Sequence, residues 1–329
     1  MTVHTQHDPP LAAETASSSR RQGAWPALRR QRLRRPPLWM LLPGLAVLVV
    51  IVLIPTVLTI ALSLLHLTVA TIRDWLGAPF DGLQNFINAF TTPNALGVTA
   101  GRSLLTSIEF SLLATVIVVP IGFLAALSVH QPFRGRGLVR GIYLIPHVIP
   151  MFVTALLARI IFLNKTGPLD TLLGHLGIAS PNTYWLIGPH AFWAMVIVDA
   201  WSQWPFIYLL VLAALQGVPR EQFEAAEIDG ASAFGKIRYI MLPHISGMLT
   251  LAILLSTLYH FGNFTLAYVM FSSPPPDSVS VMPISTYFDA FTTFDYGLAS
   301  AIAVVTMAVL LIPGFIYMRM TRLTKEEVH

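Results

Sequence analysis

Cysteine is absent from the 329-residue chain, which excludes disulfides, thiolate zinc sites and cysteine nucleophiles. Charge is scarce as well. Lys, Arg, Asp and Glu make up 11% of the residues, against roughly 25% in a soluble domain. So little charge cannot cover a water-facing surface. Lys and Arg are missing altogether from residues 268–296, which hold Asp277, Asp289 and Asp295. Metal-ligand spacing is also lacking among His130, His147 and His190. No serine stands in a nucleophile-elbow context.

Apolar residues are abundant, at 55% with a mean hydropathy of +0.67. This composition predicts an all-α polytopic membrane protein, because helices satisfy their own backbone in lipid. Six runs are long enough to span, over residues 38–65, 104–129, 142–163, 189–215, 245–267 and 298–318. The transmembrane domain therefore covers residues 38–320. Residues 1–37 read as a disordered basic tail, with seven arginines from Arg20 to Arg35, and residues 321–329 as a short C-terminal tail. A cleaved signal peptide fits the N-terminal tail poorly.

The net charge of +4 orients helices rather than binding nucleic acid. With the N-terminus inside, the tail arginines share one side with Arg134, Arg136 and Arg140, with Arg220, Lys236 and Arg238, and with Arg319, Arg322 and Lys325. Only Arg73, Arg102, Arg159 and Lys165 fall elsewhere. This bias predicts a multi-pass plasma-membrane protein with both termini cytoplasmic.

Residues 219–243 are the most charged stretch between two apolar runs. Pro219 suits the first position of a helix, and Glu221 favours its dipole. That helix can run to Asp229 and stop at Gly230, which tolerates a left-handed cap. Ser232 can cap a second short helix leading to Leu242. The spacing from Gly230 to Gly235-Lys236 imitates a phosphate-binding loop. Ile237 stands where the Ser or Thr for Mg²⁺ is required, and no buried strand precedes it.

Three ionisable residues fall at membrane depth: Glu109, Arg159 and Asp199. Asp199 is near mid-span with Gln203 and Trp204 close by, and both a translocation path and subunit packing stand open for it. His260 and Asn263 are candidates for hydrogen bonds to sugar hydroxyls, with Tyr268 as an apolar ring platform. Helix–helix hydrogen bonding is the alternative.

Glu224-Ala225-Ala226, Gly230, Ile240 and Leu242-Pro243 resemble the coupling-loop signature of binding-protein-dependent ABC importer permeases. The extended run Glu224 to Ser232 resembles the carbohydrate branch, of the maltose and glycerol-phosphate type, and in particular its maltose-F-like subunit. The likeness extends to Gly82-Leu83-Gln84-Asn85-Phe86, Leu144-Ile145-Pro146, the approach Trp201 to Pro219, and Tyr296-Gly297-Leu298. One departure is Ser272 to Pro276, where the family usually has Thr-x-Gly-Gly-Pro.

The resemblance implies a type I importer with a cytoplasmic coupling helix. A second permease subunit, a different chain, completes the pathway. Two ATPase subunits bind ATP and Mg²⁺, and an extracytoplasmic solute-binding protein delivers the solute. This chain is then no enzyme and carries no cofactor or metal. Glu224 makes the polar contact with the ATPase, Ala225 and Ala226 allow close packing, and Asp229 and Gly230 form the corner. Two other readings remain. The same architecture serves a polyamine, phosphate or peptide, or the chain is a polytopic membrane enzyme, which needs a catalytic cluster at one membrane face.

Overall fold

The computed structural model describes residues 2, 38–177, 183–271 and 273–326. The basic tail apart from Thr2, Ser272 of the departing motif, and residues 327–329 lie outside the described residues. The chain divides into two compact units, 1–53 and 54–329. In the first, a 3-10 turn over Leu38–Leu41 leads to α1 (Leu42–Leu48) and a π-helical segment, Val49–Leu53. Pro43 falls in the first turn of α1, where its missing N–H costs nothing.

The second unit contains α2 (Ile54–Leu62), α3 (Gln84–Thr91), α4 (Ala100–Ser128), α5 (Arg136–Val148), α6 (Met151–Ile161) and α7 (Pro168–His175). It continues through α8 (Pro189–Leu215), α9 (Arg220–Ile228), α10 (Ala233–Lys236), α11 (Leu242–Phe261), α12 (Phe264–Met270), α13 (Met282–Phe291) and α14 (Tyr296–Glu326). Among the described residues the extended pairings are two isolated bridges, Leu65 with Phe80 and Thr68 with Asp295. Among the described residues, five helical stretches are long and apolar enough to cross a membrane: Leu42–Leu62, Ala100–Ser128, Pro189–Leu215, Ala233–Phe261 and Tyr296–Met320. The pair α5–α6 makes a sixth if counted as one span.

The third and fifth spans and the segments between spans differ from expectation. The third span starts earlier, at Arg136, and bends by 85° between α5 and α6. Ile149 precedes Pro150 and is pushed into extended geometry (φ −70°, ψ 123°), which ends α5. The fifth span stops at Phe261 rather than running to residue 267, because Asn263 caps a separate α12. The segments between spans are not bare loops, since α3, α7 and α13 occupy them.

The unit is built on the crossing of α4 and α8. A Cβ on Gly122 would lie 2.6 Å from Ile207 Cβ and 2.7 Å from the Trp204 carbonyl oxygen, so glycine sets this approach. Buried Ile207 and Tyr208 pack at this approach, while Phe110 and Met195 belong to a second buried cluster further along the same two helices. Buried serines tie α13 to α4, with Ser103 Oγ 2.7 Å from Ser285 Oγ. Many large apolar side chains on the outer faces of the helices stay exposed, as a lipid-facing surface requires. Asn85 explains its motif. Its amide donates to the carbonyls of Ser63 and Leu65 (3.0 and 2.9 Å), which end the first span. Gly297 leaves room there, since a Cβ on it would lie 2.9 Å from Asn85 Nδ2.

Candidate functional site

Two regions hold the residues singled out from the sequence. The first is the corner between α9 and α10. Pro219 precedes α9 in extended geometry (φ −60°, ψ 134°) instead of taking its first helical position. Gly230 adopts a left-handed φ of 73°. The Ala231 N–H donates to Ala226 O at 2.8 Å and the Gly230 N–H to Glu227 O at 3.1 Å. These two bonds satisfy the last carbonyls of α9 and turn the chain sharply. Ser232 then caps α10, its hydroxyl accepting the Gly235 N–H at 3.1 Å.

The second helix is not short. α10 continues through a π-helical segment, Ile237–Met241, into α11, making one stretch from Ala233 to Phe261. The π turn precedes Pro243, which has no N–H to offer and crowds the turn before it. The corner is therefore one end of a continuous helix long and apolar enough to span a membrane.

Glu224, Ala225, Asp229 and Gly230 are exposed and Ala226 is half-buried. Ile228, Phe234 and Tyr239 stand out from the corner, at 88%, 71% and 76% exposure. Lys236 Nζ lies 2.7 Å from Glu227 Oε1 and closes the corner. The lysine that imitated a phosphate-binding loop is thus held by a carboxylate. A cavity of about 630 Å³ behind the corner is lined by His130, Arg136, Phe223, Glu224 and Lys236 among others. The His130 ring is 5.9 Å from Phe223. Arg136 donates to the Val129 and His130 carbonyls (2.7 and 2.8 Å) and closes the end of α4. Burial, with Arg136 and Arg140 nearby, holds the His130 pKa below its ordinary value.

The second region lies about 24 Å along α8 from Leu215, sixteen residues at 1.5 Å each. Asp199 Oδ2 is 2.7 Å from His260 Nδ1, and both side chains are fully buried. Asn263 Nδ2 donates to Asp199 Oδ1 at 2.9 Å, while its own Oδ1 accepts the Leu266 N–H and caps α12. Ser256 Oγ is 2.9 Å from His260 Nε2. The cluster joins α8, α11 and α12.

The sequence reading had no role for Ser256. It stands four residues before His260 on one helix face, and that spacing is its one local signal. Serine, histidine and aspartate are linked in the order of a hydrolytic triad. Here the three are exposed by 4%, 1% and 0% respectively, so the hydroxyl is sealed from water and substrate.

The other candidates lie apart. Gln203 donates to the Tyr259 hydroxyl at 3.2 Å. Trp204 meets Tyr143 edge-on, 5.3 Å away. Tyr268 is 41% exposed on α12 and stacks on Phe264 at 4.9 Å. Of the three ionisable residues at membrane depth only Asp199 points inward, since Glu109 and Arg159 are exposed on the isolated chain.

Residues 118–324 match the family described as "Binding-protein-dependent transport system inner membrane component". The trehalose/maltose transport system permease protein MalF of Thermococcus litoralis is 31% identical over 288 residues, covering 87% of this chain and 94% of that relative. The galactooligosaccharides transport system permease protein GanP of Bacillus subtilis is 28% identical, over 87% of this chain and 70% of its own. A crystal structure of a bacterial ABC transporter that imports the acidic polysaccharide alginate contains a chain of the same fold. Its TM-score is 0.70 at 20% identity, covering 86% of this chain and 95% of that one.

Proposed function

The chain belongs to the family of inner membrane components of binding-protein-dependent transport systems, and from that premise we propose that it imports a sugar or sugar derivative as one permease subunit of an ABC transporter. Support for the cargo comes from its relatives, whose names specify trehalose, maltose and galactooligosaccharides. The observation that carries the mechanism is the exposed corner at Gly230, continuous in helix with the fifth span. ATP and Mg²⁺ bind two separate ATPase subunits. Their closure pushes on Glu224, Ala225, Ala226 and Asp229, and α10–α11 carries that push into the membrane as a rigid body. The corner and both termini are cytoplasmic. A different permease chain completes the pathway, and an extracytoplasmic binding protein delivers the solute.

Asp199, Gln203, Trp204, His260 and Asn263 belong to the solute path, and open to sugar hydroxyls when α8 and α11 move apart. The test is ATP-driven uptake of trehalose and maltose by vesicles holding the complete transporter. Gly230→Trp abolishes uptake and weakens retention of the ATPase subunits. Uptake of spermidine, phosphate or a peptide in place of both sugars would replace the cargo assignment. Normal uptake by Gly230→Trp would sink the corner's role.

The order Ser256–His260–Asp199 is the one observation favouring a membrane hydrolase. A fluorophosphonate probe that labels Ser256 would revive that reading; its burial predicts no labelling.

A further inference from the structure

Beyond the break at Gly262, α11 has climbed about 30 Å from Leu242, at 1.5 Å per residue, so α12 and α13 lie at the end of the bundle away from the corner. Four aromatic side chains from these two helices converge there. Phe264 stacks on Tyr268 at 4.9 Å and 20°. Tyr287 meets Phe264 at 5.1 Å, Tyr268 at 5.0 Å and Phe291 at 5.1 Å. Tyr268 and Phe291 remain 41% and 61% exposed. The two phenol oxygens are 3.3 Å apart. One hydrogen serves that contact, which leaves a second O–H and several lone pairs free for another partner.

We propose that Phe264, Tyr268, Tyr287 and Phe291 form a stacking platform for a pyranose ring at the solute-entry end of the pathway. The assignment rests on the sugar reading above and gives it a first binding step. A pyranose presents a face of C–H bonds and a rim of hydroxyls. Aromatic faces carry a negative quadrupole that attracts C–H groups, and the paired phenols can both give and accept hydrogen bonds at the rim. Phe264 directly follows Asn263, whose amide reaches Asp199, so the platform and the buried polar cluster are joined through α12. An interfacial aromatic belt places Trp and Tyr at headgroup level; these rings come from two helices only and are packed on one another.

Saturation-transfer NMR tests this on the full chain in lipid nanodiscs. Aromatic protons are irradiated, with maltose, trehalose and spermidine as probes. The platform predicts saturation of the sugar ring protons. That signal falls at least about fivefold, by loss of aromatic quadrupole contacts, in Tyr268→Ala/Tyr287→Ala and is largely retained in Tyr268→Phe/Tyr287→Phe. Should the double alanine variant fail to fold, Phe291→Ala, at the exposed rim, must still lower the signal. Equal sugar signals in wild type and every variant overturn the platform and leave the sugar reading standing. Signals from spermidine alone overturn both. No signal from any probe, or normal sugar signals with loss of binding-protein-stimulated ATPase in the assembled transporter, overturns the platform in favour of a protein-docking surface.

Discussion

The corner at Gly230 and the cluster at Asp199 are both polar, and their physics is opposite. The corner faces out, and each of its parts is local in the chain: Gly230 caps α9, Ser232 caps α10, and Lys236 reaches back to Glu227. The cluster is sealed, and its parts come from three helices across a span of more than sixty residues. Interactions in water are worth little each and are replaceable. Those inside a dry bundle are costly to leave half-made. Substitutions at the corner should therefore cost little in stability, whereas a change that breaks one contact of the cluster leaves the others unpaired.

The largest effect is expected inside. Asp199→Ala removes the acceptor of the Asn263 amide and the carboxylate that lies 2.7 Å from the His260 Nδ1. Removing one member of a buried pair costs about 3–5 kcal/mol. Thermal unfolding in detergent reads this directly, and a loss as small as that of a surface substitution would mean water reaches the cluster. Asp199→Asn keeps an acceptor for one partner and falls between the two.

The difference also decides what could be read from the chain. The corner's residues act on their near neighbours in the chain, so Glu221, Gly230 and Ser232 together point to a sharp turn between two helices. The resemblance added the engine. Asp199, His260 and Asn263 were each visible as polar residues in apolar runs. That they meet depends on how α8 packs against α11, which no local pattern contains. The third span is expected over residues 142–163, whereas the 85° bend at Pro150 belongs to a helix pair that already begins at Arg136. The continuity of α10 with α11 was hidden for a similar reason, because a π turn absorbs Pro243 where a break was expected.

A third carboxylate sharpens the contrast, because among the described residues no basic side chain pairs with it. Asp289 is 1% exposed and accepts the Ala95 N–H at 3.0 Å. Burial above all, then Asp295 nearby, raises its pKa to about 6 despite that bond. A raised carboxylate pKa means the folded form favours the neutral acid. Its contribution is complete below the ordinary value near 3.8 and is lost as pH rises through about 6. The upper bound is about 3 kcal/mol for a shift of that size. The apparent melting temperature should fall between pH 4 and pH 7, and Asp289→Asn should flatten the slope. An unchanged slope in that variant would move the titration to another group.

At the corner the expected costs are smaller. Gly230→Ala places a Cβ in left-handed geometry with open space around it. The strain is about 1–2 kcal/mol, and it should appear as faster hydrogen exchange at Gly230 and Ala231 with the spans unaffected. If exchange rises along α11 too, the corner is not a separable end but part of the core.

The smallest effect belongs to Glu227 and Lys236. Their side chains are 65% and 19% exposed, and the pair spans the turn at 2.7 Å. A partly exposed ion pair is worth roughly 0.2–1 kcal/mol and is screened by salt. A double-mutant cycle with Glu227→Gln and Lys236→Met should therefore give a coupling of that size at low salt, shrinking as salt is added. Global stability should barely move. Transport is the discriminating readout, because the pair links α9 to the helix that enters the membrane. If the corner transmits force as a rigid body, the single variants reduce uptake per ATP hydrolysed more than they reduce stability. If uptake per ATP follows the small stability change, the left-handed turn and the cap at Ser232 hold the corner by themselves. The ion pair is then a surface contact like any other.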